Sequence, residues 1–171
     1  MNDIDIQPVA RVVNSVDDPL NMPPGGVDSI IEVKPAFLDA LLGIEQNSHL
    51  WILSWLHKAS RQVLQTVPAR INQALPPFGV FALRSPVRPN PIGLSITELL
   101  RVDGGSLHVG RLDLINGTQV LDIKPYIEND CIFSPRTPYL KTESREKRYA
   151  FYARQARNHH QEECFHLAAA V

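Results

Sequence analysis

The chain has 171 residues and a mass of 19.2 kDa, with 44% hydrophobic and 20% charged residues and a formal net charge of −1. This length suits one domain with a sizeable core, and the composition excludes a largely disordered protein. No apolar run approaches the ~18 residues of a membrane span, and the first residues lack the blocks of a secretory signal, so we expect a soluble, cytoplasmic protein without membrane contact.

The N-terminal part is predicted to form two strands separated by a loop. Residues 6–13, IQPVARVV, are apolar and rich in β-branched side chains. The following DDPLNMPPGG, residues 17–26, is too rich in proline and glycine for regular structure. VDSIIEV, residues 27–33, then predicts the second strand.

A short helix and an apolar strand are expected next. Pro35 stands at a favourable first helical position, and the amphipathic segment that it opens is closed near Gly43. LWILSWLH, residues 50–57, is almost continuously apolar, which favours a strand buried on both faces.

The middle of the chain predicts a long connection followed by more strands. Residues 58–77 lack a clear period, and residues 79–85 resume strand character. Residues 92–114 are typical of two strands joined by a hairpin at Asp103, Gly104 and Gly105, and residues 119–126 predict a further strand.

Six or seven strands with few helices favour a mainly β fold, namely a small closed or nearly closed antiparallel β-barrel with one short helix. Beyond Pro138 the sequence becomes basic and helical in pattern, and Thr142 can cap a helix. From Arg136 to Arg157 there are seven basic and two acidic residues, an excess of +5 that suits a polyanion. We therefore expect a domain at 1–127 and a basic, helical extension at 128–171.

A proline-rich stretch, LRSPVRPNPIGLS at residues 83–95, is a candidate binding segment. Each proline fixes its own φ and holds the preceding residue extended, so the stretch is ordered before any ligand arrives. Arg84 and Arg88 can make forked hydrogen bonds to a carboxylate or phosphate, and Asn90 offers an amide. The equally weighted alternative is a rigid connection with exposed arginines.

A charged row follows at Asp122, Lys124 and Tyr126, which lie two apart on one strand face. It suits the lining of a barrel interior or mouth, with Asp113 nearby. The alternative is an exposed Asp122–Lys124 ion pair of little energetic weight. His49 and His57 end the apolar strand, where a histidine is more often structural than catalytic.

Three blocks closely resemble the TsaA-like (TrmO-type) family of S-adenosylmethionine-dependent tRNA methyltransferases. They are GIEQNSHLWILSWLH, GVFALRSPVRPNPIGLSITEL and LDLINGTQVLDIKPY, in the family's order, and the resemblance covers about residues 6–127. It implies a β-barrel homodimer with S-adenosylmethionine near the subunit interface. It also implies methylation of the exocyclic nitrogen of threonylcarbamoyl-adenosine, next to the tRNA anticodon.

Residues are assigned by the same resemblance. Carried over by motif, the cofactor-binding residues are Phe81, Ala82, Leu83, Arg84, Ser85, Asn90, Pro91, Ile92 and Gly93. Substrate binding falls to Arg84, Arg88 and Lys124, and the candidate catalytic residues are Asp113, Asp122, His49, Lys124 and Tyr126. Asp113, Asp122 or a histidine would accept the proton of the acceptor nitrogen.

The chain departs from the family pattern in its first loop, where residues 17–29 contain neither the arginine nor the glutamine that the family commonly carries. Asn116 and Gln119 also replace an aspartate and a proline. Two alternatives therefore stay open: a non-catalytic module that binds S-adenosylmethionine or RNA, and a methyltransferase for a different, smaller acceptor.

Histidine and cysteine are dense near the C-terminus, and such residues can bind zinc. Their spacing matches no standard zinc finger, so no metal site is predicted. The residues concerned are Cys131, His159, His160, Cys164 and His166.

Overall fold

The computed structural model describes residues 5–69, 72–132 and 135–136. These fall into two compact units. The barrel unit comprises residues 5–62 and 86–132, and the insert unit comprises residues 63–69, 72–85 and 135–136. The strands are β1 (Ala10–Val13), β2 (Val27–Val33), β3 (His49–Trp55), β4 (Gln65–Thr66), β5 (Phe78–Gly79), β6 (Ile92–Asp103), β7 (Ser106–Leu112) and β8 (Gln119–Pro125).

Six of the strands close into an antiparallel barrel in the order β1-β2-β7-β6-β3-β8. Closure leaves no free edge on these strands, and their inward side chains form one core. The most deeply buried of them, each at 0% exposure, are Val12, Ile31, Ile52, Leu107 and Val120. The predicted mainly β, antiparallel barrel is therefore confirmed.

Short 3₁₀ helices occupy several connections within the described residues. They are Pro19–Asn21, Pro35–Leu41, Ile44–Gln46, Val80–Ala82 and Glu128–Asp130. The helix predicted from Pro35 begins there, but it is a 3₁₀ helix that ends at Leu41. Gly43 then adopts a left-handed backbone with φ of 82°, as expected of a glycine that closes a helix. No helix in the described part of the chain is long and apolar enough to cross a membrane.

The strand β3 alternates between the core and the outer face of the barrel. Leu50, Ile52 and Ser54 point inward and are buried, whereas Trp51 and Leu53 are half-buried. Burial on both faces, predicted from the apolar run, is thus wrong. The outward side chains are also large and apolar, so the sequence lacks the alternation of apolar and polar residues that normally indicates a strand buried on one face only.

The sequence predicted the hairpin correctly, because β6 and β7 pair from Asp103 to Ser106 and Gly104 has φ of 54°. The strand predicted over 79–85 is wrong. In the insert unit β5 ends at Gly79, and the Leu83 amide then donates to the Val80 carbonyl at 3.3 Å to close a 3₁₀ turn. The predicted C-terminal helix lies outside the described residues.

Candidate functional site

Four connections of the barrel unit meet at one end of the barrel, which we call the loop end. They are residues 14–26, 56–62, 86–91 and 113–118. Trp55, the last residue of β3, pairs with the first residues of both β6 and β8. The second half of the proline-rich stretch therefore lies at the same end as Asp113.

The segment 86–91, which carries Arg88, is held against the connection after β3. The Leu56 amide donates to the Pro91 carbonyl at 2.8 Å, and the Arg88 amide donates to the Ser60 carbonyl at 3.1 Å. Pro91 is fully buried, whereas Arg88 is half-buried. This bracing supports the prediction that the segment is rigid.

Gly93 follows this segment and faces Ser54 directly across the β3–β6 ladder. A methyl group on Gly93 would overlap the Ser54 hydroxyl oxygen and crowd Leu56. Ser54 has 0% exposure, so it cannot move into solvent to make room. The backbone at Gly93 therefore approaches a neighbouring strand more closely than any other residue would allow.

Asp113 stands at the loop end immediately after β7, and its side chain is exposed. The Ser95 hydroxyl donates to its Oδ1 at 3.0 Å. Below it, Gly26 has φ of 83° and packs on the backbone of Leu112 and Asp113. The end of the first loop and the start of Asp113's loop are therefore in direct contact.

The first loop, residues 14–26, is tied to the loop end by side-chain hydrogen bonds. The Asn116 side chain donates from Nδ2 to Asp17 Oδ1 at 3.0 Å and accepts from the Asn14 amide at 3.4 Å. Lys58 Nζ donates to the Asp17 carbonyl at 2.6 Å. Asn116, one of the departures from the family pattern, is thus a central part of this anchor.

The charged row of β8 lies on the outer face of the barrel. A register shift places Ser54 opposite Val120 but Leu53 opposite Asp122, so Leu121 is an extra residue that reverses the facing of the strand. Asp122 and Lys124 form a 2.7 Å ion pair with side chains 45% and 60% exposed. The row therefore does not line the barrel interior, and the exposed Asp122–Lys124 ion pair given as the alternative is observed.

Aromatic side chains cluster at the other end of β3, and we call His49, Trp51 and Tyr126 the aromatic edge. The rings of Trp51 and Tyr126 lie 5.7 Å apart, and those of His49 and Tyr126 lie 6.5 Å apart. The Trp51 indole donates to Asp130 Oδ2 at 2.9 Å. His49 and Trp55 are six residue steps apart along β3, or ~20 Å at 3.3 Å per residue, so this edge is remote from the loop end.

The Tyr126 hydroxyl has a raised pKa. Its partial removal from water is the main cause, and the neighbouring Cys131 and Asp130 add to the effect because they disfavour a phenolate. A phenol whose pKa is raised stays protonated at neutral pH, so Tyr126 is uncharged there.

The first half of the proline-rich stretch belongs to the insert unit. Phe81 is 84% exposed and Arg84 is exposed, whereas Ser85 and Leu83 are half-buried. Val80, by contrast, is buried and anchors the 3₁₀ turn that carries Phe81 and Ala82.

The predicted site residues therefore divide among three places. The loop end holds Asp113, His57, Arg88, Asn90, Pro91, Ile92 and Gly93; the outer face and aromatic edge hold Asp122, Lys124, His49 and Tyr126; the insert unit holds Phe81 to Ser85. Sequence reasoning missed Ser95, Asp17 and Arg61 at the loop end. Ser95 carried a usable signal, since it lies two residues after Gly93 and thus on a defined strand face.

Most of the barrel unit matches a known protein family. The family model described as the tRNA-methyltransferase O N-terminal domain matches residues 21–131. The chain belongs to this family. A probable S-adenosyl-L-methionine-binding protein of Methanothermobacter thermautotrophicus is 46% identical over 102 residues, covering 60% of this chain and 72% of the relative. The human tRNA (adenine(37)-N6)-methyltransferase is 48% identical over 90 residues, covering 52% of this chain and 20% of that protein.

Solved structures of TrmO share the fold. The crystal structure of TrmO from Pseudomonas aeruginosa has a TM-score of 0.63 at 32% identity, covering 80% of this chain and 62% of that one. A second TrmO crystal structure has a TM-score of 0.63 at 27% identity, covering 92% of this chain and 76% of that one. The predicted membership of the TsaA-like (TrmO-type) methyltransferase family is thereby confirmed.

Metal ligands do not gather within the described ranges, where no group of three or more His, Cys, Asp or Glu side chains is placed to hold an ion. Cys131 is exposed and is not in a disulfide. The other residues considered for zinc lie outside the described residues, as does the basic run after Arg136.

Proposed function

We propose that this member of the TrmO family is an S-adenosylmethionine-dependent tRNA methyltransferase acting on the exocyclic nitrogen of threonylcarbamoyl-adenosine beside the anticodon, in the cytoplasm. The observation that carries the proposal is the braced segment 86–91, with Arg88, at the same barrel end as the Ser95–Asp113 pair. The family match over residues 21–131 and the name of the human relative support it.

The side chains of the loop end fit S-adenosylmethionine by charge. The molecule carries a sulfonium, an ammonium and a carboxylate. Asp17 is a carboxylate suited to its positive groups, and Asn90 offers an amide to its carboxylate. Because segment 86–91 is already ordered, little conformational entropy would be lost on binding.

The chemistry asked of the chain is modest. S-adenosylmethionine supplies an electrophilic methyl group when it is bound. Asp113, oriented by the Ser95 hydroxyl, accepts the proton that the acceptor nitrogen loses. Positioning of the two reactants contributes most of the acceleration, because the displacement needs an in-line approach.

Recognition of the substrate is assigned to the arginines. A guanidinium fork matches the threonyl carboxylate or a backbone phosphate, and Arg88 offers one at the loop end, with Arg84 as a second candidate in the insert unit. The modified adenine, in the single-stranded anticodon loop, would be held by stacking and by contacts to its edges.

A homodimer is part of the proposal. On the outer face of the barrel, Leu53 pairs with Leu94 and Trp51 pairs with Ile96, which is 43% exposed, while Leu100 nearby is 55% exposed. Apolar side chains concentrated on one sheet face suit a subunit interface.

The proposal is tested with purified protein and methyl-labelled S-adenosylmethionine. We expect label in threonylcarbamoylated tRNA and background levels in unmodified tRNA of the same sequence. Equal labelling of both tRNAs would contradict the assigned acceptor, and labelling of neither would contradict the activity.

A second candidate is an S-adenosylmethionine-binding module without transferase activity. The first loop favours it, because Asp17 and Asn116 occupy the loop end where the family carries other side chains. Calorimetric binding of S-adenosylmethionine together with no transfer to any tRNA would support this candidate over the first.

A further inference from the structure

Arg61 links the two segments that form the wall of the loop end. Its Nε donates to the Pro89 carbonyl at 3.1 Å, and its guanidinium carbon lies 5.2 Å from the centre of the Trp55 ring. One residue earlier, the Ser60 carbonyl accepts the Arg88 amide at 3.1 Å. Adjacent residues of one segment therefore contact adjacent residues of the other.

The composition of segment 86–91 makes an outside donor important. Pro86, Pro89 and Pro91 have no N–H, so they fix the local backbone angles but can hold the segment on the barrel only by accepting hydrogen bonds from other residues. The Pro89 carbonyl lies between Arg88 and Asn90 and points its oxygen at Arg61. A guanidinium bond at this point fixes the Pro89–Asn90 peptide, which lies between the two polar side chains of the segment.

The Trp55 ring fixes Arg61 in turn. A cation lying over an indole face is attracted to the ring electrons, and the flat guanidinium also packs on it. Trp55 is the last residue of β3, paired on both sides, so the ring is carried by the rigid part of the barrel. Arg61 thus connects a proline-rich segment to a fixed strand end.

We propose that Arg61 is a positioning residue for the S-adenosylmethionine site: it holds the Pro89–Asn90 peptide in its binding conformation without touching the ligand. This assignment rests on the proposed function, because it takes segment 86–91 to be the cofactor wall. Nothing in the sequence blocks marks Arg61, which lies four residues after the last residue of the first block.

The first measurement is the affinity for S-adenosylmethionine, by calorimetry on the full chain. Arg61→Ala should weaken binding roughly tenfold, because the unbound segment then samples other conformations. Arg61→Lys keeps a cation over Trp55 and should recover part of the loss. Arg101→Ala is the matched control: Arg101 is also exposed, but it lies near the far end of β6, where it contacts His108 of β7, and this variant should bind as the wild type.

The second measurement is hydrogen exchange of the Arg88 amide without ligand, which does not depend on activity. Arg61→Ala should speed this exchange several-fold while the melting temperature changes little. Unchanged exchange at Arg88 would overturn the assignment, whatever the affinity. If wild-type protein fails to bind S-adenosylmethionine, the proposed function fails, and the exchange result still decides whether Arg61 orders the segment.

Discussion

The bond from Ser95 to Asp113 fixes one oxygen of an exposed carboxylate at the loop end. A carboxylate held in this way presents its other oxygen in a defined direction, which is what a proton acceptor for a weakly acidic nitrogen requires. The residues are 18 positions apart in the chain and meet because β6 and β7 are neighbours. Their partnership is a result of the barrel register.

Replacing Asp113 with asparagine tests this role. The substitution keeps the shape and the bond to Ser95 but removes the basic oxygen, so the rate of methyl transfer should fall by about a hundredfold or more. Single-turnover assays with labelled S-adenosylmethionine measure it. Asp103→Asn, which alters an exposed aspartate in the hairpin, is the control, and an Asp113→Asn enzyme as fast as that control would remove Asp113 from the mechanism.

Tyr126 gives a prediction in pH. Because the pKa of its hydroxyl in the folded protein lies above the ordinary value of about 10, the unfolded chain loses this proton first. The contribution of Tyr126 to stability is thus complete below that value and declines as the pH rises through and beyond it.

An ultraviolet difference titration of the wild type against Tyr126→Phe measures this ionisation. Its midpoint should lie above that of a free tyrosine, and Cys131→Ala should move it back part of the way. A midpoint at or below the ordinary value would contradict the stated causes.

Among single residues, the sequence indicated side chains that belong to recognisable motifs, such as Arg88 and Asp113. It did not indicate residues whose contacts depend on the folded structure. Arg61 lies in a connection without periodicity, and its partners are a carbonyl oxygen and a ring brought there by the strand ends. A main-chain acceptor leaves no trace in residue identity, so no pattern could have indicated it.

Among the connections, the first loop depends most on a single residue. Gly26 combines φ of 83° with contact to the Leu112 and Asp113 backbone. Any side chain there is strained by the backbone angle and also meets main-chain atoms that belong to the barrel wall.

We therefore expect Gly26→Ala to lower the free energy of unfolding by about 3 kcal/mol, from the left-handed backbone and from overpacking together. Gly104→Ala, at φ of 54° but with open space around it, should cost only about 1 kcal/mol. Urea denaturation of both variants gives the comparison, and equal losses would show that the contact with Leu112 has no weight.

Most strands could be predicted from the sequence, but the side of the barrel to which the residues of β8 point could not. β2 was predicted at its observed bounds, Val27–Val33, because apolar and β-branched residues are dense between two turns. In β8 the extra residue Leu121 reverses the facing of Asp122 and Lys124. A period of two assumes an uninterrupted ladder, and the inserted residue depends on the pairing with β3, which the local sequence does not show.

The apolar outer face of β3 and β6 bears on the oligomeric state of the whole molecule. If it is the interface of a homodimer, Ile96→Asp should convert the protein to a monomer, because a carboxylate would be buried opposite Trp51. Light scattering coupled to gel filtration measures the mass. Leu42→Asp changes a leucine that is 96% exposed on another surface, and it should leave the dimer intact. A monomeric wild type, or an Ile96→Asp dimer, would refute this interface.

The number of paired residues differs between neighbouring strands of the barrel. β1 has four residues, and its register with β8 comprises two pairs, Ala10 with Val120 and Arg11 with Gln119, whereas β3 and β6 pair over seven residues each. Local opening of the barrel should therefore occur most readily between β1 and β8. Such an opening would let water reach the core while the other strand pairs stay intact. The N-terminal strand therefore controls how often the core is exposed to solvent.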